Sequence, residues 1–350
     1  MKLEKNQKKQ KSNNKKMGND IKTFFVLAIA VIIGFIILFI SIAKPKDVAT
    51  INNSKITNNE FQFYYSQNVS YALQSSGSTD AEAYLNSSSG SGTVKDVIKQ
   101  QTISQVVQIE ILLLKAKEDH FKVSNSEIQQ QWLTYKNTLL QNAQNSQMTI
   151  EDFLKATFGL SLNKVQSIFK DNVISQKYFD AEASKIAVDD AKLSAYYEEN
   201  KTYIDRASVR HILITCAKDA KEDVVAEKKK LAEDILVKVN KGDDFSALAK
   251  EYSEDSGSKD NGGLYEIQPN GQMMAEFEDW TFSHKAGDTG IIKTTYGFHI
   301  MKLDSIMNTL ESQKDDIMKT YRMGEYQKVI EEILQGDKYK IEVKEGYESF

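Results

Sequence analysis

The apolar residues of this chain switch from a helical period to a strand-like one at Arg206, which limits it to a helical unit joined to an α+β one. From residue 57 to 200 the pattern is mostly helix with short polar breaks. DVATINNSKIT reads as a short strand and turn. Thr57 and Glu60 then form a capping box for a helix through FQFYYSQNVSYAL. Phe61, Tyr64, Tyr65 and Tyr71 give that helix an aromatic face, read as packing rather than as a client-binding surface. Asn86–Thr93, NSSSGSGT, has the composition of a flexible loop. An apolar stripe running from Val94 through Ile98, Ile103, Val107 and Ile111 to Leu114 marks a helix over 93–120. Ser124 with Glu127, and Thr149 with Asp152, set two further helix starts. Asp189 or Asp190 caps the helix holding Tyr196 and Tyr197.

Beyond Arg206, SVRHILIT is a strand rich in β-branched residues. Val224 to Val239 is an amphipathic helix with Leu231, Ile235 and Val239 on one face, and Asp244 caps the short helix FSALAKEY. A polar, glycine-rich loop follows, SEDSGSKDNGG, and then a short helix, EFEDWTF. GIIKT and GFHIMKL are strands around a turn at Tyr296-Gly297. This β-α-α-β-α-β-β order predicts a compact α+β domain. Leu310–Leu334 returns to helix, and YKIEV is a final strand.

Upstream of all this lies FFVLAIAVIIGFIILFISIA, Phe24 to Ala43, with no charged residue. At about 1.5 Å per residue, a helix of that length spans a hydrocarbon core of about 30 Å. It is read as a transmembrane anchor. Ser41-Ile42-Ala43 keeps a cleavable signal peptide open as the alternative. Residues 1–22 carry eight lysines against Glu4 and Asp20, an asymmetry that the net charge of −4 hides. That arm abuts an apolar run, so it points to a membrane and not to nucleic acid. The expected topology is a single pass through the cell membrane, with the N-terminus cytoplasmic and residues 44–350 outside.

Cys216 is the only cysteine. Intrachain disulfides are excluded, as is a cysteine-borne lipid near the N-terminus. With His120, His211, His284 and His299 it forms no zinc-like spacing, and there is no phosphate loop or G-x-S-x-G elbow. No metal and no cofactor is expected.

Seven blocks then stand in order: R-H-I-L-I at 210–214, D-F-S-A-L-A at 244–249, Y-S-E-D-S-G-S at 252–258, G-G-L at 262–264, G-Q-M at 271–273, E-F-E-D-W-T-F at 276–282 and Y-G-F-H-I-M-K-L at 296–303. Together they resemble the parvulin family of peptidyl-prolyl isomerases over residues 206–304. VATINNSKITNNEF at 48–61 and ILLLKAKEDHFKVSNSEI at 111–128 are similar to segments of the PrsA/SurA group of extracytoplasmic foldases. Charge and hydropathy give a basic cytoplasmic arm (1–23) and an anchor (24–43); the resemblance implies a helical chaperone domain like the SurA N-terminal one (47–204) and a parvulin domain (205–305). A C-terminal helix and strand (306–350) would pack back on the helical domain. The fold class is then α+β, with the parvulin domain inserted in a mostly α-helical chaperone domain behind an N-terminal transmembrane helix. In that group the anchor is usually a lipid; here the apolar span would do the tethering.

Rotation about an Xaa-Pro bond breaks amide resonance, a barrier of about 18–20 kcal/mol, but cleaves nothing. The site need only bind the twisted amide better than the planar one, using an apolar cup for the proline ring and pre-placed polar groups. By resemblance, His211 and His299 are paired histidines on adjacent central strands, and Asp255 stands where some parvulins carry cysteine and others aspartate. A carboxylate there argues against covalent catalysis and disfavours the planar resonance form electrostatically. Met273, Phe277 and Leu264 match the cup, with Tyr296 and Phe298 as further lining. Plain core packing is the competing account of the apolar residues and of the histidines. Cys216 falls outside the family's catalytic position. The implied partners are unfolded or newly secreted polypeptides with Xaa-Pro bonds, and the implied function is a membrane-anchored isomerase and chaperone. The alternatives are an inactive holdase and a membrane-tethered scaffold. G-G-L-Y-E-I at 262–267 departs from the family's G-G-D-L-G-aromatic-F: Gly263 replaces an acid, Tyr265 a glycine and Ile267 a phenylalanine.

Overall fold

A computed structural model describes residues 47–90 and 92–344. The chain divides into two compact units. One comprises the described residues up to Ile186 together with those from Met323 onward; the other is Ala187–Arg322.

The first unit opens with a hairpin of β1 (Asp47–Ile51) and β2 (Ser54–Thr57). Its turn places Asn52 at φ 51°, a left-handed conformation that asparagine tolerates better than most residues. The capping box of Thr57 and Glu60 is formed and starts α1 (Asn58–Ser76). Phe61, Phe63, Tyr64 and Tyr65 are buried in the core and Tyr71 is exposed, so four of the five aromatics on that helix are packing residues. After α2 (Ala81–Asn86), the segment expected to be a loop instead forms a small antiparallel pair, β3 (Ser88–Ser89) with β4 (Gly92–Thr93). Gly90, at φ 64°, sits between the two strands. Four helices follow: α3 (Val94–Glu118), α4 (Asn125–Asn145), α5 (Ile150–Phe158) and α6 (Leu162–Ser184). Ser124 and Thr149 cap α4 and α5.

The second unit runs α7 (Asp190–Ile204), β5 (Arg206–Thr215), α8 (Glu222–Asn240), α9 (Phe245–Tyr252), β6 (Leu264–Ile267), α10 (Ala275–Ser283), β7 (Thr289–Lys293) and β8 (Gly297–Met307). The strands form one antiparallel sheet in the order β6-β5-β8-β7. On one face Ile212, Ile214, Phe298 and Ile300 pack with Ala232, Ile235 and Val239 of α8 and with Phe245 and Leu248 of α9. Leu231, expected on that face of α8, lies at its rim and is exposed, because the buried stripe centres between Ile235 and Ala232. On the other face Val209, Met301 and Leu303 pack with Phe277 of α10. The ladder shifts between Ser208 and Val209, leaving Asp304 of β8 as the extra residue of a bulge. Its carboxylate accepts a 2.6 Å hydrogen bond from Arg210 Nε.

α11 (Lys314–Gln335) contributes to both units. Ile317 joins Leu193 and Tyr197 of α7 in the second, which is why that unit extends beyond the expected 205–305 to 187–322. Tyr326 and Ile330 join Tyr178 and Phe179 in the first. β9 (Ile341–Val343) then adds to β1, giving a three-stranded sheet in the order β2-β1-β9, and Tyr339 is buried in the first unit's main core.

The expected transmembrane helix requires correction. Among the described residues no helix is long and apolar enough to cross a membrane, and the run 24–43 lies outside them. The fold class reduces to an α+β unit inserted in a mostly helical one. The single-pass topology, the membrane as partner and the outward placement of the bulk have no counterpart in it.

Candidate active site

Strand alternation brings the first two groups together. Across the central ladder His211 of β5 pairs with Met301 of β8, and Leu213 with His299. The histidines therefore share one face of the sheet as diagonal neighbours. Their rings stack at 5.2 Å between centroids, with Nδ1 3.0 Å from Nδ1. Phe277 of α10, 2 % exposed, meets both imidazoles edge-on at 5.4 and 5.9 Å.

The loop after α9 adds a carboxylate. Ser253 Oγ accepts hydrogen bonds from Leu213 N at 3.2 Å and from Asp255 N at 3.3 Å, which ties the loop to β5. Asp255 Oδ2 then lies 2.9 Å from His211 Nε2 and accepts from Ser258 Oγ at 2.5 Å and Tyr265 Oη at 3.0 Å. Asp255 Oδ1 accepts from Gly257 N at 3.1 Å. At the other end, Thr294 Oγ1 lies 2.8 Å from His299 Nε2 and accepts from Tyr296 N at 3.1 Å.

Electrostatics give this chain a direction. Burial alone would raise the Asp255 carboxyl. Hydrogen bonds from Ser258, His211, Gly257 N and Tyr265 outweigh it and hold the group well below the usual carboxylate range. Burial lowers His211 despite the attraction of Asp255. Burial, reinforced by His211, lowers His299 to about 4. At neutral pH the carboxylate is ionised and both imidazoles are neutral. An ionised carboxylate only accepts, so His211 Nε2 donates to it and His211 Nδ1 is left to accept from His299 Nδ1–H. His299 Nε2 in turn accepts from the Thr294 hydroxyl. Every hydrogen from Thr294 to Asp255 is thus donated toward the carboxylate.

One sequence departure has a steric cause. Gly263 adopts φ +75°, and its carbonyl accepts a hydrogen bond from His211 N at 2.9 Å. A Cβ on Gly263 would stand 2.2 Å from the His211 carbonyl oxygen, so an acid cannot occupy this position.

Two family models match: a PPIC-type PPIase domain over residues 192–306 and a SurA-like N-terminal domain over 13–179. A crystal structure of PrsA from Bacillus subtilis is matched over 71% of this chain and 91% of its own at 24% identity, with a TM-score of 0.29. Foldase protein PrsA of Caldanaerobacter subterraneus subsp. tengcongensis is 29% identical over 302 residues, 86% of this chain and 83% of that protein. Foldase protein PrsA 3 of Bacillus anthracis is 30% identical over 300 residues, 81% of this chain and 93% of that protein. This chain belongs to the PrsA foldase family. It carries a parvulin-type peptidyl-prolyl isomerase.

Of the residues expected in the PrsA-type site, the fold gathers His211, His299, Asp255 and Phe277, and packs the half-buried Met273 against the same cluster as Phe277. Two others lie elsewhere. Phe298 adjoins His299 in a strand, so it points to the opposite face and is buried against the α8/α9 layer. Leu264 pairs with Arg210, whereas its neighbour Tyr265 pairs with Val209; register therefore puts Tyr265, not Leu264, on the histidine face. Tyr296 is exposed at the turn before β8. Ser258, Tyr265 and Thr294 join the cluster although the sequence alone assigns them no site role. Ser258 lay within a matching block, Tyr265 stood out only as a departure, and Thr294 carried no signal. Among the described residues no group of three or more His, Cys, Asp or Glu is arranged to hold a metal ion.

Proposed function

We propose that this chain assists the folding of unfolded or newly made polypeptides, with Xaa-Pro bonds turned over by the second unit and the first unit acting as a chaperone. The foldase names of its relatives support this reading. The observation that carries the site assignment is the one-way hydrogen-bond chain from Thr294 through His299 and His211 to an ionised Asp255, floored by Phe277. Asp255 acts on the substrate: its negative charge disfavours the planar amide, whose resonance form puts negative charge on the carbonyl oxygen. Twisting the bond relieves that repulsion, so the effect is greater in the transition state than in the ground state. His211 and His299 hold the carboxylate in place and contribute no charge at neutral pH. Met273 and Phe277 form the cup for the proline ring, and Tyr296 is a contact at its rim.

Asp255→Asn keeps the size of the side chain and removes its charge. In a proline-peptide isomerisation assay it is expected to lower kcat/KM by about tenfold to a hundredfold, with the circular dichroism spectrum unchanged. A folded variant with the wild-type rate would remove Asp255 from the mechanism.

A further inference from the structure

The two oxygens of Asp255 are treated unequally. Oδ2 takes hydrogens from His211 Nε2, Ser258 Oγ and Tyr265 Oη, while Oδ1 receives only the Gly257 N–H. A carboxylate oxygen has two lone pairs, so Oδ2 is saturated and Oδ1 keeps acceptor capacity. The side chain of Asp255 is 20% exposed, so that capacity is not sealed off.

Tyr265 is the donor that the rest of the site does not require. Its ring leans on His211 at 5.4 Å and packs on the layer that holds Phe277. Its hydroxyl reaches over the loop to Oδ2. The loop is shaped to let it do so: a Cβ on Gly257 would come within 2.9 Å of Tyr265 Oη and 3.4 Å of Asp255 Oδ1. Only glycine leaves the phenol room beside the carboxylate.

We propose that Tyr265 is a positioning residue for the isomerase reaction: its hydroxyl pins Asp255 Oδ2, so that Oδ1 is the atom turned toward the substrate amide. This rests on the proposed role of Asp255. The titratable groups facing Asp255 are His211 from β5, His299 from β8 and Tyr265 from β6. In the loop itself the neighbouring Glu254 carboxylate turns away to Thr215. Both imidazoles are neutral above mildly acidic pH, so hydrogen bonds rather than a neighbouring cation keep Asp255 ionised, and the Tyr265 hydroxyl supplies one that can be removed with least disturbance to the sheet. Loss of its hydrogen bond raises the carboxyl toward the ordinary range, because that bond favours the ionised form.

The test compares Tyr265→Phe, Tyr265→Ala and Asp255→Asn in the full chain, measuring kcat/KM for an Xaa-Pro peptide against pH and the thermal unfolding of each variant. Tyr265→Phe keeps the ring and removes only the hydroxyl. It is expected to lower kcat/KM by roughly tenfold at neutral pH, the size of effect a charge-assisted hydrogen bond carries. The acid limb of its pH profile should move to higher pH while unfolding stays at the wild-type temperature. Tyr265→Phe matching wild type in rate and acid limb, with Tyr265→Ala impaired, would reduce Tyr265 to packing and overturn the proposal. If Asp255→Asn is itself fully active, the underlying assignment of Asp255 fails. If Asp255→Asn is impaired and Tyr265→Phe is not, only the role of Tyr265 fails.

Discussion

The two faces of the four-stranded sheet are built from alternate residues of the same strands, yet they have different chemistry. Ile212, Ile214, Phe298 and Ile300 make one face continuously apolar under α8 and α9. Val209, Met301 and Leu303 begin the same kind of layer on the other face, but His211 and His299 interrupt it. One residue of register separates a packing position from a site position. The apolar face secures the strands; the interrupted one uses their fixed spacing to hold His211 and His299 in line between the loop residues Asp255 and Thr294.

Three measurements bear on that division, from the largest expected effect to the smallest. Ile300 is fully buried on the apolar face. Ile300→Ala should cost about 2–5 kcal/mol of stability while the molecules that remain folded keep a near-normal kcat/KM. A folded variant with a collapsed rate would show that the faces are not separable.

Acid should act on the other face. His299 is lowered from 6.5 to about 4, and His211 is lowered too. The unfolded chain therefore binds more protons between those limits. The contribution of His299 to the stability of the second unit is fully present above about pH 6.5 and is lost as pH falls toward 4, on the order of 3 kcal/mol. The depressed Asp255 adds a loss of the same sign at lower pH. Urea unfolding followed through Trp280, in a Trp132→Phe background, measures this; equal stability at pH 7 and 4.5 would contradict it.

Cys216 is buried with the apolar-face cluster. Cys216→Ser should cost about 1 kcal/mol of stability and leave the isomerisation rate within error of wild type. A large rate loss there would put the chemistry on the wrong side of the sheet.

The sequence was most legible where one short-range rule decides. Thr57 with Glu60, and the caps at Ser124 and Thr149, need only three residues of context, and each helix starts where they say. His211, His299, Asp255, Phe277 and Met273 stood out because seven blocks kept their order. What failed was the lining of the site. Phe298 beside His299 cannot share its face, a parity rule that the strand pattern alone supplies. Leu264 required the pairing of β6 with β5, and register between distant segments is not written in either one. Thr294 and Ser258 are small hydroxyl residues whose roles come only from the loops that carry them. The pair of short strands at 88–93 was hidden because its serine and glycine residues give no apolar alternation to read.

The pairing of β9 with β1 also orders events during synthesis. Asp47–Ile51 leaves the ribosome early, but its outer neighbour, Ile341–Val343, emerges only after the entire second unit. The first unit's sheet and the pocket for Tyr339 stay open through that interval, while Ala187–Arg322 has every residue it needs to fold. The isomerase can therefore be complete while the unit that brackets it is still waiting for its last strand.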